Sequence, residues 1–136
     1  MSSLSPSTLL RYALIGDAVA SGATGLLLAL GAGALTHLLG MPEPLMREAG
    51  IVLLPYAAAV AYLGTRVTVS PRAVWAVILG NAAWVAASLV LLVGNIVVPT
   101  TLGYAFVLAQ ALVVLVFAEA QYFGLRRSGE TRVLPA

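Results

Sequence analysis

The sequence predicts an all-α protein, a four-helix up-down-up-down bundle embedded in a membrane with both termini in the cytoplasm. Three observations lead there. Of the 136 residues, 61% are hydrophobic and only 9% charged, where a soluble domain carries roughly a quarter charged residues. The apolar residues gather into four stretches, at about 9–39, 50–66, 73–94 and 101–125, each close to or beyond the roughly 20 residues that a membrane helix needs. The basic residues, all arginine, collect at alternate ends of those stretches. A chain of this length reads as one transmembrane domain spanning 1–136.

The first stretch follows Arg11 and continues to Leu39. It is too long to stand upright in a bilayer, so it tilts or extends beyond the lipid. Asp17 interrupts the apolar run that a cleaved signal peptide would require, which makes this an uncleaved first span. "LGMPEPLMREAG" then breaks the chain with two prolines and three charges. "GTRVTVSPR" separates the second and third spans, and the short, neutral "VGNIVVPTTLG" separates the third and fourth. The tail at about 128–136 reads as polar and disordered.

Arginine placement orients the spans. Arg11, Arg66, Arg72, Arg126, Arg127 and Arg132 fall on one side, and Arg47 alone on the other, beside Glu43 and Glu48. The positive-inside rule puts the arginine-rich side in the cytoplasm. Short connections make successive helices neighbours. Small residues recur at four-residue spacing, as in Ala18 and Gly22, Ser21 and Gly25, and Ala57 and Ala61, a pattern that lets helix backbones approach closely in lipid.

Charged and polar residues within the spans are the candidates for function, because each costs free energy in hydrocarbon. At about 1.5 Å of rise per residue, Asp17 lies ~9 Å inward from Arg11 and Glu119 ~10 Å inward from Arg126. On the same measure Asn81 lies ~13 Å from Arg72 and Tyr62 ~6 Å from Arg66. Asp17, Tyr62, Asn81 and Glu119, one per helix, therefore form the expected polar cluster, with Ser21, Thr24, Ser88 and Gln110 in support. Gln110 and Gln121 lie almost opposite Glu119 on the last helix, so both of its sides must find polar partners.

Two readings of the cluster compete. In one, hydrogen bonds between Asp17 and Asn81 or Tyr62 fix how the helices register. In the other, Asp17 and Glu119 form a proton-titrating site open to the cytoplasm, since two close carboxylates in a low dielectric do not both ionise.

The composition excludes much else. There is no cysteine, hence no disulfide, thiolate site or thiol redox chemistry. His37 is the single histidine and has no acids beside it, so no metal site is expected. No nucleophile–base pair, phosphate loop or cofactor motif appears, and no catalytic residue is assigned. A basic patch with interleaved aromatics is also missing, so nucleic acid is not an expected partner.

The patterns "LRYALIGDAVASGATGLLLAL", "LLGMP" with "AGIVLLPYAA", and "PTTLGYAFVLAQ" with "AEAQYFGLRR" resemble a group of small uncharacterised bacterial integral membrane proteins over roughly residues 9–127. A looser likeness to DoxX-type four-helix membrane proteins rests on the "GMP" after the first span and on size. The resemblance implies a multi-pass protein of the bacterial inner membrane and supplies no reaction, cofactor or substrate. The expected function is a non-enzymatic one exercised through helix packing, as an accessory subunit or homo-oligomer. Its partners are then the lipid bilayer, further copies, or a larger membrane complex. The alternative is an oligomeric proton-linked transporter or conduit that uses the embedded carboxylates.

Overall fold

The computed structural model describes residues 3–130. A two-residue strand β1 (Leu4–Ser5) precedes four helices, α1 (Thr8–Leu39), α2 (Glu43–Thr65), α3 (Pro71–Val93) and α4 (Thr101–Arg127), and a second short strand, β2 (Gly129–Glu130), follows them. All four helices are long and apolar enough to cross a membrane. With 32 residues, α1 measures about 48 Å against a hydrocarbon core of about 30 Å.

Two boundaries differ from the sequence expectation. Helix α2 starts at Glu43, a full two turns before residue 50. Pro42 and Pro44 do not prevent this, because amides in the first turn have no intrahelical acceptor to lose, and Glu43 pairs with Arg47 one turn on at 2.6 Å. The tail is placed as far as β2: Ser128 caps α4 and Gly129–Glu130 pairs antiparallel with β1. Residues 131–136, where the rest of the expected disordered tail falls, lie outside the described residues.

Each helix buries a narrow stripe. On α1 it includes Leu10, Leu14, Asp17, Ser21, Leu28 and Ala32; on α2 it is Met46, Gly50, Leu53, Ala57, Val60 and Gly64. On α3 it includes Val74, Ile78, Asn81, Ser88 and Leu92, and on α4 Gly103, Val107, Ala111, Ala118, Gln121 and Leu125. Alternating steps of three and four residues keep one face of each helix toward its neighbours. The outer faces carry exposed leucine, valine and aromatic side chains, as a lipid-facing surface requires.

Helix α1 packs along α2 and against α4, and α4 packs against α3, while α2 and α3 meet only sparsely. Close approach sets the α1–α2 pairing. A Cβ at Gly50 would fall 2.6 Å from the Gly25 carbonyl oxygen and closer still to the Ala29 amide nitrogen. Gly124 brings α4 equally near α1, where a Cβ would lie 2.6 Å from the Leu10 nitrogen. In lipid, where apolar surface gains nothing by leaving the solvent, such backbone contact and interhelical hydrogen bonds hold helices together.

Both ends of the bundle are laced. At one end Leu4 exchanges backbone hydrogen bonds with Val69 of the α2–α3 connection, each 2.8 Å, so β1 lies between that connection and β2. Ser7 caps α1 by accepting from the Leu10 amide, and its hydroxyl donates to the Gly124 carbonyl at 2.7 Å. Arg11 donates to the carbonyls of Gly64 (2.8 Å) and Arg66 (3.1 Å), placing a cation at the negative C-terminus of α2. At the opposite end the Thr100 amide and hydroxyl donate to the carbonyls of Leu39 and Leu38, tying the α3–α4 connection to the end of α1.

Candidate functional site: a buried carboxylate cluster beside a cavity

Two apolar cores fill the bundle, one around Leu10, Leu14, Val60, Val74, Ile78 and Leu125 and the other around Leu28, Ala32, Met46, Leu53, Leu92 and Val107. Along every helix a polar residue falls between them, and these residues converge on Asp17. Its Oδ1 accepts from the Ser21 hydroxyl at 3.0 Å, one turn along α1. Its Oδ2 accepts from Asn81 Nδ2 of α3 at 2.9 Å and from Gln121 Nε2 of α4 at 2.8 Å. The Tyr56 hydroxyl of α2 lies 3.0 Å from the same oxygen and 2.7 Å from Asn81 Oδ1. Asn81 Nδ2 also donates to Gln121 Oε1 at 3.0 Å. Asp17 is 1% exposed and Gln121 fully buried, so four helices close over one carboxyl group.

Of the four residues expected to cluster, Asp17 and Asn81 are in contact, and Tyr62 and Glu119 lie elsewhere. Tyr62 is 61% exposed, with the Arg66 guanidinium 5.2 Å from its ring centroid. It stands two positions beyond Val60 in the buried stripe of α2, hence on another side of the helix. Tyr56, three positions beyond Leu53, is the tyrosine that reaches inward. Glu119 is exposed and makes no hydrogen bond or ion pair among the described residues. Two residues on a helix are separated by about 200°, so burying Gln121 turns Glu119 outward. Asp17 and Glu119 therefore do not come together as the paired carboxylates of one titrating site.

The supporting residues divide. Ser21 belongs to the Asp17 cluster. Ser88 and Gln110 form a second group with Trp84: the indole Nε1 donates to Gln110 Oε1 at 2.7 Å, and Gln110 Nε2 donates to the Ser88 hydroxyl at 3.0 Å. This group links α3 to α4. Thr24 joins neither, and its hydroxyl has no hydrogen-bond partner among the described residues. His37 is exposed near the end of α1, and no three metal-ligating side chains gather among the described residues.

Thr24 instead faces empty space. A cavity of about 460 Å³ is walled by residues of all four helices, with Asp17, Ser21 and Asn81 at one end and Tyr56, Trp84, Phe106 and Phe117 along its sides. Exposed Val52 of α2, Gly80 of α3 and Val113 of α4 stand at its rim. The sparse contact between α2 and α3 leaves room for it. A second cavity of about 290 Å³ extends toward Met41 and Met46 and shares Thr24, Trp84, Phe106 and Gln110 with the first. Thr24 thus sits at the junction of the two volumes.

Chemically, the site has no cation to offer among the described residues. Arg11 on α1 is occupied with α2 carbonyls, and no described arginine makes an ion pair or hydrogen bond with Asp17. The polar side chains around the cavity are hydrogen-bonding groups set in an aromatic and aliphatic wall, and Asp17, the one acid among them, is covered by its partners. No family model, no curated protein and no solved structure matches the chain.

Proposed function

We propose that the protein is a non-enzymatic membrane protein that holds a neutral lipophilic small molecule between its helices. The cavity with the free Thr24 hydroxyl at its junction carries this reading. Its volume of about 460 Å³ falls within the roughly 300–1,000 Å³ of small-molecule sites, which are typically apolar with a few placed polar groups. Aromatic faces at Phe106, Phe117 and Trp84 suit a flat or unsaturated body, and Thr24 suits a head group that accepts a hydrogen bond. A charged ligand is disfavoured because Asp17 is covered by its own donors. A role through helix packing alone accounts for the Gly25–Gly50 contact but leaves the cavity without an occupant.

The orientation proposed with it puts the end that carries β1 and β2 in the cytoplasm and makes the helices alternate in direction across a bacterial inner membrane. Arg11, Arg66, Arg72, Arg126 and Arg127 support this, set against Arg47 at the other end and already paired with Glu43. Trp75 and Tyr122, ring centroids 5.8 Å apart, and Arg126 over Tyr122 suit an interfacial belt at the same end. Oligomers or larger membrane complexes remain part of the proposal through the exposed helix faces.

Fluorescence of Trp84 tests the ligand reading. In a Trp75→Phe background reconstituted in bilayers, a decyl-chain benzoquinone should quench Trp84 saturably. Ala109→Phe, which fills the cavity from α4, should abolish the saturable component. Linear, unsaturated quenching in both proteins defeats the proposal.

A further inference from the structure

The hydrogen-bond geometry around Asp17 contains one contact more than its hydrogens supply. Six polar contacts join Asp17, Ser21, Tyr56, Asn81 and Gln121. The Ser21 hydroxyl fills one, the two Asn81 amide hydrogens fill two, and one Gln121 amide hydrogen fills another. Two contacts remain, both at the Tyr56 oxygen: 3.0 Å to Asp17 Oδ2 and 2.7 Å to Asn81 Oδ1. Tyrosine has a single hydroxyl hydrogen. If Asp17 is a carboxylate, one of these pairs is two oxygens with nothing between them. Exchanging the amide ends of Asn81 or Gln121 does not help, because it turns a carbonyl oxygen toward Asp17 Oδ2.

We infer that Asp17 is a buried proton-binding site and that the described arrangement is its proton-loaded form. Asp17 Oδ2 then donates to the Tyr56 oxygen, Tyr56 donates to Asn81 Oδ1, and all six contacts are filled. The charge environment agrees. Among the described residues, the groups facing Asp17 are Ser21 on its own helix, Tyr56 on α2, Asn81 on α3 and Gln121 on α4, and none is cationic. Glu119, the other acid of the helical interior, points away. A carboxylate enclosed in hydrocarbon without a countercharge is costly, and a proton removes that cost. Asp17, Tyr56 and Asn81 all belong to the cavity wall, so the proton-binding site borders the cavity directly. This inference rests on the hydrogen count and holds whether or not the cavity takes a ligand.

The chain offers a clean test, since Asp17 is its only aspartate. Cell-free synthesis with aspartate labelled with carbon-13 at the side-chain carboxyl, followed by solid-state NMR in lipid bilayers, gives one protein carboxyl signal. At neutral pH that signal should sit at the position of a neutral carboxylic acid. A signal at the carboxylate position overturns the inference.

Discussion

Replacing Asp17 separates a neutral hydrogen-bonding centre from a required charge. Asp17→Leu removes three interhelical hydrogen bonds, two accepted from Asn81 and Gln121 and one made with Tyr56. Ser21 loses its partner as well, but a helical serine readily turns to a carbonyl one turn back. Interhelical hydrogen bonds in membranes average about 0.6 kcal/mol each, so three of them amount to about 2 kcal/mol. Tyr56 and Asn81 retain each other and Asn81 retains Gln121 Oε1, which keeps the loss near that value. Asp17→Asn behaves differently. An amide that places its oxygen at the Oδ2 position still accepts from Asn81 and Gln121, turns its N–H toward the Ser21 hydroxyl and gives up only the hydrogen opposite Tyr56, so its cost should stay near that of one such bond, about 0.6 kcal/mol. Reversible unfolding in bicelles, by steric trapping or detergent titration, measures both variants against the parent. If Asn costs as much as Leu, the site needs a negative charge and the neutral-acid account is wrong. If Leu costs nothing, the cluster does not hold the helices together.

The misplaced candidates make the opposite prediction: Glu119→Gln and Tyr62→Phe, both on the exposed surface, should each change stability by less than about 0.5 kcal/mol in the same assay. Gly50→Leu should force α1 and α2 apart and cost about 1–3 kcal/mol, seen as a lower unfolding midpoint, and an unchanged midpoint would place the close approach elsewhere. Arg11→Gln keeps a donor but removes the cation from the C-terminus of α2, and should cost about 0.3–1 kcal/mol with faster hydrogen exchange at the last turn of that helix.

Much of the architecture was legible because lipid imposes simple rules. Length and hydropathy mark the four helices, and the inward facing of Asp17 and Asn81 follows from the cost of turning either toward hydrocarbon. The partners were harder. Depth measured from Arg66 singled out Tyr62, but depth says nothing about facing. The repeat Met46, Gly50, Leu53, Ala57, Val60, Gly64 holds the missing information: it excludes Tyr62 and leaves Tyr56 beside the buried face. On α4 the expectation favoured the acid over the amide, whereas the stripe through Ala118 and Leu125 selects Gln121. The separation of α2 from α3 was not legible at all. It depends on how closely Gly25 and Gly50 draw α1 to α2, a matter of three-dimensional volume that no single-helix pattern encodes.

The junction of β1, β2 and Val69 bears on the order in which the protein comes together. The Ser7 amide donates to the Ser128 hydroxyl across 121 positions of sequence, and the Ser7 hydroxyl reaches Gly124. A ribosome releases the first of these residues long before the last. The α1–α2 hairpin can associate as soon as both have entered the bilayer, since its glycine contacts are local. Until α4 arrives, though, Asp17 lacks Gln121, Ser7 lacks its carbonyl acceptor, and the β1 edge is only half paired. The junction therefore behaves as a clasp that fastens only once α4 and β2 have followed the first hairpin, and a chain stalled before residue 121 would carry Asp17 incompletely enclosed.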